Sequence, residues 1–206
     1  MSDIEAQILE WLRSGSEDAA DIVDLPWDVK QIEEGMYVAE HPKMPFTLVV
    51  MFSDEFVHLI IPTSLETYGL SDEDKLYVYH TLLQLNNKVY MMKFSLGQPN
   101  DAVNIRVDLD KKTLGKEEFN NALTALVIGL LSGVSALGLE EEFIDKVFDR
   151  ILAMLLERIA EGWTYDQLME FLTVRVGLDE EDAKKLLDAV MEALEEGEEE
   201  EAEAGE

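Results

Sequence analysis

The sequence predicts an α+β fold, in which an antiparallel sheet carries helices mainly on one face and is followed by a C-terminal helical subdomain. Residues 102–110 alternate apolar and polar side chains, as in a strand with one wet face. Apolar residues at helical spacing open the chain and recur throughout residues 139–194. The predicted divisions are an α+β domain (1–137), a C-terminal helical subdomain (138–195) and a disordered acidic tail (196–206).

The α+β domain is predicted to follow the order helix, three strands, helix, two strands, helix. After the first helix, residues 27–39 form a strand that is interrupted at Glu33-Glu34-Gly35, either by a bulge or by division into two short strands. Residues 46–52 and 56–61 form a hairpin, because the short acidic turn Asp54-Glu55 joins them. The remaining elements are a helix at 71–86, strands at 89–96 and 102–110, and a long helix at 116–137.

Three further helices are predicted beyond Gly138, at residues 139–160, 165–176 and 180–194. Thr164 and Gln167 have the spacing of a capping box at the start of the second. In outline these helices mimic a helix-turn-helix. The helix that would enter the major groove begins with three acidic residues, which DNA phosphates repel, and we therefore reject DNA binding.

The composition restricts the class of partner. The 206 residues carry a formal net charge of −29 at pH 7, and without the eight glutamates after Leu194 the charge is still −21. Such a surface repels nucleic acid and anionic membranes, so we expect neither as a partner. The absence of cysteine excludes disulfides and thiolate metal sites, and is consistent with a thermophile.

The two ends of the chain support two further expectations, about disorder and about location. The glutamate-rich tail combines low hydrophobicity with high charge, which predicts disorder. The N-terminus lacks a basic segment followed by an apolar run, and the expected location is therefore the cytoplasm.

Short sequence segments in the α+β domain resemble a known family. The segments are Leu82-Leu83-Gln84-Leu85-Asn86, Met92-Lys93-Phe94-Ser95-Leu96, Val107-Asp108-Leu109 and Leu114-Gly115-Lys116-Glu117-Glu118-Phe119. Together with the element order over residues 1–137, they resemble the type III secretion chaperone-like fold, and in particular the YbjN-like proteins. The resemblance implies a non-catalytic protein that dimerises and binds other proteins.

No residue pattern indicates a catalytic, metal or cofactor site. His41, His58 and His80 lack the close spacing of a histidine metal motif. The acidic stretch that begins at Asp108 fails as a calcium loop, because Lys112 and Phe119 occupy ligand positions. A serine nucleophile stays open, since its partners would be distant in sequence. We therefore expect no cofactor and no catalytic metal.

The uncharged stretch at residues 119–139 is long enough to span a bilayer, but it contains several polar side chains. Ala125, Gly129 and Gly133 recur every four residues and form a stripe that permits close packing. We predict a buried helix here, and a close helix-packing or oligomer contact at the stripe.

Both faces of the central hairpin are predicted to be largely apolar. An even-length turn gives the pairs Phe52–Val57, Val50–Leu59 and Leu48–Ile61, whose side chains form the face that the helices cover. The opposite face is also largely apolar, although a solvated sheet face is normally polar. Either helices of the same chain or a partner protein must cover this face. In the second case the predicted partner-binding residues are Val49, Met51, Phe56, His58 and Ile60.

These observations favour a non-enzymatic, protein-binding or chaperone-like adaptor or regulatory protein that forms a homodimer. Two alternatives stay open: a carboxylate- or metal-dependent hydrolase, and a small-molecule sensor. Converging carboxylates with shifted pKa values would favour the enzyme, whereas an exposed apolar sheet face would favour the adaptor.

Overall fold

The computed structural model describes residues 3–204, and the side chains of residues 3–194. Two compact units divide within one helix, between Lys146 and Val147. The elements of the first unit are α1 (Asp3–Arg13), a 3-10 turn (Ile22–Asp24), β1 (Asp28–Glu33), β2 (Met36–Glu40), β3 (Leu48–Phe52), β4 (Phe56–Glu66), α2 (Asp72–Asn86), β5 (Lys93–Gly97), β6 (Ala102–Asp110) and α3 (Lys116–Leu137). Helix α4 (Glu140–Ala160) contains the division.

The six strands form one antiparallel sheet in the order β1-β2-β3-β4-β6-β5. The predicted fold class is confirmed. The interrupted first strand is two strands, β1 and β2, because Gly35 turns the chain with a φ of 71° that side chains other than glycine rarely adopt. The first unit therefore has four strands, not three, before α2.

The hairpin register is as predicted, since Phe52 pairs with Val57 and Val50 with Leu59. One face of the sheet carries the core, and its buried strand side chains are Tyr37, Ala39, Leu48, Val50, Val57, Leu59, Ile61, Ile105, Val107 and Leu109. Helices α1 and α3 cover this inner face, with Phe119, Leu123 and Leu126 of α3 completely or almost completely buried. Helix α2 adds a smaller cluster around Val103.

The stripe of small residues on α3 faces the end strand of the sheet. A Cβ at Gly129 would lie 2.4 Å from Cε of Met92, and one at Gly133 would lie 3.0 Å from Cζ of Phe94. Ala125 is also buried. The stripe thus lets α3 pack closely against β5 and against Met92, the residue before it. Within the chain, the stripe therefore contacts a strand and not a helix.

Asn86, the last residue of α2, holds the edge strand β5. Its side-chain Oδ1 accepts a hydrogen bond from the backbone N–H of Phe94 (2.6 Å), and its Nδ2 donates to the Phe94 carbonyl (3.3 Å). An edge strand otherwise presents unpaired backbone groups. The amide side chain satisfies both groups at this position, which gives the Asn that ends α2 a structural role.

The second unit is helical. After α4 come α5 (Tyr165–Glu170), a π-helical turn (Phe171–Val176) and α6 (Glu180–Ala204). Thr164 and Gln167 form the predicted capping box. The unit has its own core of Leu155, Leu168, Phe171, Leu172, Ala183 and Leu187. Disorder was predicted after residue 195, whereas α6 runs to Ala204, as the helix propensity of glutamate and alanine allows.

We expect Gly129→Leu to destabilise the protein by roughly 1–3 kcal/mol, because the new side chain collides with Met92 and overpacks the contact between α3 and β5. Urea unfolding measures the change. Ser135→Leu is the control, since Ser135 lies on the exposed side of the same helix and should shift stability by less than about 0.5 kcal/mol. Equal effects of the two substitutions would contradict a tight contact at Gly129.

Candidate functional site on the outer face of the sheet

The outer face of the sheet is the surface opposite α1, α2 and α3. One row of side chains crosses all six strands of this face, as the strand registers show. In order from β1 to β5 it contains Lys30, Val38, Val49, Ile60, Arg106 and Lys93, and we call it the transverse row. The neighbouring row contains Met36, Met51, His58 and Asp108.

All five side chains that the sequence predicted as partner-binding lie on this outer face. Val49 pairs with Ile60, and Met51 pairs with His58, across the central hairpin. Val49, Met51 and Ile60 are partly exposed, and Phe56 is 39% exposed at the start of β4. The centre of the outer face is therefore apolar and partly open to solvent.

His58 differs from the other four, because it is only 9% exposed and both of its ring nitrogens have polar neighbours. Its Nδ1 lies 2.6 Å from Oδ1 of Asp108, and its Nε2 lies 3.0 Å from Oγ of Ser53. Arg106 Nη2 lies 2.9 Å from the same Nδ1. In a neutral imidazole, Nδ1 either donates to Asp108, with Nε2 accepting from Ser53, or accepts from Arg106, with Nε2 donating to Ser53.

Asp108 is the centre of this polar network. Arg106 Nε donates to its Oδ1 (2.6 Å) and Lys93 Nζ to its Oδ2 (2.5 Å). Partial burial disfavours the carboxylate, but the hydrogen bonds from Lys93, His58 and Arg106 outweigh it and hold the pKa of Asp108 well below its ordinary value. Asp108 is consequently ionised at neutral pH, and it ties β4, β5 and β6 together on the outer face.

Sequence reasoning placed His58 on this face but missed its partners. The wet face of strand 102–110 was visible as an alternation that includes Arg106 and Asp108. What the sequence did not reveal is that β6 lies beside β4, which sets His58 opposite Asp108. Ser53 was missed because it belongs to the turn rather than to a strand.

The other two histidines lie apart from the network. His41 is fully buried, with Nδ1 accepting from the Lys43 N–H (3.2 Å) and Nε2 3.2 Å from a Glu17 carboxylate oxygen. His80 is exposed on α2 beside Gln84. Within the residues whose side chains are described, no three His, Asp or Glu side chains converge in a way that would hold a metal ion.

Helix α3 is the one described helix that is long and apolar enough to cross a membrane. Its face at Phe119, Leu123, Leu126 and Leu130 is buried in the core of the first unit. Packing on the sheet therefore accounts for the apolar residues of this face, whereas Ile128 and Leu131 lie on the exposed side of the helix.

Comparison with known families shows which family the chain belongs to. Residues 7–137 match the family described as Domain of unknown function (DUF8183), and the chain belongs to this family. Residues 138–200 match a second model, HTH_78, whose description is also a domain of unknown function. Neither is the YbjN-like family that the sequence segments suggested. No curated protein matches the chain.

The chain is similar to two solved structures. A crystal structure of an uncharacterised protein from Methanothermobacter thermautotrophicus is 15% identical, with a TM-score of 0.48 over 68% of this chain and 99% of that chain. A chain of the heterodimeric complex ExoU–SpcU, from the type III secretion system of Pseudomonas aeruginosa, is 18% identical, with a TM-score of 0.40 over 65% of this chain and 96% of that chain. Neither TM-score reaches 0.5, so the description of the fold rests on the strand order itself.

We expect Asp108→Asn to lower the free energy of unfolding at pH 7 by roughly 1.5–3 kcal/mol, since it removes a carboxylate that accepts charged hydrogen bonds. The pKa of Asp108 is lowered in the folded protein, so its contribution is complete above the ordinary carboxyl pKa of about 4 and declines as the pH falls below it. The difference between wild type and variant, measured by urea unfolding, should therefore shrink between pH 7 and pH 3.

Asp54→Asn is the control for this measurement, because Asp54 is an exposed carboxylate in the hairpin turn. Its effect should be small at both pH values. A difference between wild type and Asp108→Asn that stays constant down to pH 3 would show that the ionised carboxylate is not the stabilising group.

Proposed function

We propose that the chain is a non-enzymatic, protein-binding adaptor of chaperone-like type, and that its partner contacts the outer face of the central hairpin. The observation that carries the proposal is the apolar centre formed by Val49, Met51 and Ile60 on the face opposite the helices. A face of an antiparallel sheet that meets only water is normally polar. This apolar centre is therefore best explained by a partner that covers it.

The chemistry of the side chains suits such a role. Met51, with Met36 beside it in the neighbouring row, is flexible and polarisable, and methionines are frequent at surfaces that adapt to a partner. The polar network around Asp108 fixes one side of the apolar centre. The outer face thus combines an adaptable surface with a rigid border.

We also propose that the protein self-associates. Helix α2 exposes Leu76 (70%) and Leu83 (67%), and α3 exposes Ile128 and Leu131 to nearly half. Side chains of this size and exposure are common at contacts between chains, where burial of apolar area drives association. They lie on the helical side of the first unit, so a second copy bound there leaves the outer face of the sheet to another partner.

The double variant Val49→Ser/Met51→Ser tests the proposed binding face. Tagged wild-type and variant proteins are compared for recovery of partners from a lysate of the source organism, for melting temperature, and for sedimentation at micromolar concentration. We expect loss of the recovered partners, a dimer in both samples, and a small change in melting temperature, because the two side chains are only partly buried.

Leu76→Ser/Leu83→Ser is the matched control, since it removes two exposed apolar side chains from α2. It should weaken the dimer and leave partner recovery unchanged. A large loss of stability in Val49→Ser/Met51→Ser would instead identify the outer face as core, and the proposed function would fail. Monomeric wild-type protein would remove the proposal of self-association.

A second candidate function has one specific observation in its favour. Ser53, His58 and Asp108 are connected in the order, and at the distances, that serine hydrolases use to activate a serine hydroxyl. Three features count against catalysis. Ser53 Oγ also accepts from the Phe56 N–H within the turn, Arg106 competes for His58 Nδ1, and Lys93 and Arg106 share the carboxylate.

A fluorophosphonate probe, which labels activated serines, decides between the two functions. We expect no labelling of the wild type, because the network satisfies its own hydrogen bonds and cross-links the strands. Denatured protein is the control for nonspecific reaction. Labelling of the folded protein that disappears in Ser53→Ala and in His58→Gln would establish the hydrolase and overturn the non-enzymatic assignment.

A further inference from the structure

We propose that Met36, Met51 and His58 form a binding site for one monovalent copper ion, Cu(I), on the outer face of the sheet. The three side chains lie in the row beside the transverse row, on the neighbouring strands β2, β3 and β4. Thioether sulfur is a soft ligand of the kind that Cu(I) prefers, and imidazole also suits copper. The inference goes beyond the proposed function, because recognition of a protein partner does not require a metal.

The strand register sets the three side chains next to one another. Met36 pairs with Met51, and Met51 pairs with His58, so the two pairs share the central residue. Directly opposite residues of an antiparallel pair have Cβ atoms about 4.5–5.5 Å apart. Methionine side chains are unbranched and flexible, so two of them can turn their sulfurs towards an ion beside the imidazole. Both methionines are half-buried, which keeps the position partly shielded from water and still open to an ion.

The orientation of the His58 ring directs its second nitrogen towards the methionines. Nδ1 lies 2.6 Å from Oδ1 of Asp108, which belongs to β6 on one side of β4. The two nitrogens are on opposite edges of the ring, so Nε2 is directed to the other side of β4, where β3 carries Met51. The 3.0 Å contact of Nε2 with Ser53 Oγ agrees with this direction, because Ser53 directly follows β3.

Asp108 gives His58 the support that a metal-binding histidine normally has. Such a histidine almost always donates its other ring N–H to a carboxylate or a carbonyl, which fixes the tautomer and the ring orientation. When Nδ1–H donates to Asp108, the lone pair of Nε2 accepts from the Ser53 hydroxyl and can instead bind a metal. The hydroxyl loses little by this exchange, since the Phe56 carbonyl lies 3.2 Å away as a second acceptor.

The charged groups around the site balance one another. Lys93 and Arg106 both donate to Asp108, which leaves a net charge of +1 on the far side of the imidazole. Arg106 keeps its Nε bond to the carboxylate (2.6 Å) when Nδ1–H donates to the same group. At the opposite end, Glu33 of β1 pairs with Met36 and contributes one negative charge. Electrostatic attraction therefore does not select the ion, and the softness of the two sulfurs does.

Divalent ions fit this arrangement less well. Calcium and magnesium take oxygen ligands, and zinc takes thiolate, imidazole and carboxylate ligands. Of these groups only the imidazole of His58 faces the methionines, because the carboxylate of Asp108 lies on the other edge of the ring. No local spacing in the sequence indicates the site, since only the pairing of β2 with β3 brings Met36 to Met51.

Anaerobic titration of the full chain with Cu(I), in competition with the chromophoric chelator bicinchoninate, measures the stoichiometry and Kd. Methyl NMR spectroscopy of the methionines identifies the sulfurs that bind. We expect one equivalent of Cu(I), with shifts of the methyl signals of Met36 and Met51 among the nine methionines of the chain. Zn(II) should leave these signals unchanged.

Variants test each part of the site. Met36→Leu and Met51→Leu should each weaken Cu(I) binding by at least about tenfold, because each removes a sulfur and nearly conserves the side-chain volume. Met91→Leu is the matched control, since Met91 is an exposed methionine outside the row, and its Kd should be that of the wild type. Ser53→Ala should bind at least as tightly as the wild type, because it removes the hydroxyl that competes for Nε2.

Several results would overturn the site. They are absence of binding to the wild type, an effect of Met91→Leu equal to that of Met36→Leu, full affinity in either Met36→Leu or Met51→Leu, and weaker binding in Ser53→Ala. Circular dichroism verifies that each variant keeps its fold. Recovery of protein partners is measured separately with a copper chelator present, so failure of the copper site leaves the proposed function standing.

Discussion

The antiparallel pairing of β4 with β6 is the interaction on which the rest of the first unit depends. It joins strands that α2 and β5 separate in the sequence, and so it converts the β1–β4 meander and the β5–β6 hairpin into one sheet. Once the two strands are side by side, the inner residues Leu59 and Val107 face the helices together, while His58 and Asp108 meet on the other side. Core and candidate site are thus two consequences of one register, because successive side chains of a strand point to opposite faces.

This dependence also explains what could be predicted from the sequence. The register of the β3–β4 hairpin follows from the parity of a short turn and the separation of apolar side chains, which are local properties, and the structure has the pairs Phe52–Val57 and Val50–Leu59. The fold class followed from local patterns in the same way. The neighbour of β4 is a non-local property, and no local signal distinguishes β6 from β5 as that neighbour. For this reason the predicted face contained His58 but lacked Asp108, Arg106 and Lys93.

The prediction for α3 shows a related limit. Its glycine stripe correctly indicates that something approaches closely, but an identical stripe serves a helix, a strand or a second chain. Only the structure shows that Met92 and Phe94 fill the space. The sequence alone does not decide how the first predicted strand is interrupted, since Gly35 is compatible with both a bulge and a turn. The structure resolves it in favour of a turn, because β1 pairs with β2 on one side of Gly35 and β2 also pairs with β3.

The proposed binding face can be compared with the β5 edge of the sheet as a place for a partner. Strand addition requires free N–H and C=O groups on an edge strand. At Phe94, in the middle of β5, both groups are bonded to the side chain of Asn86, so an added strand would have to displace the end of α2. The outer face needs no such displacement, because its apolar centre is already partly exposed and its polar border is held by Asp108. Under the proposed function, the partner would therefore recognise side chains of the outer face rather than backbone groups of β5 at Phe94.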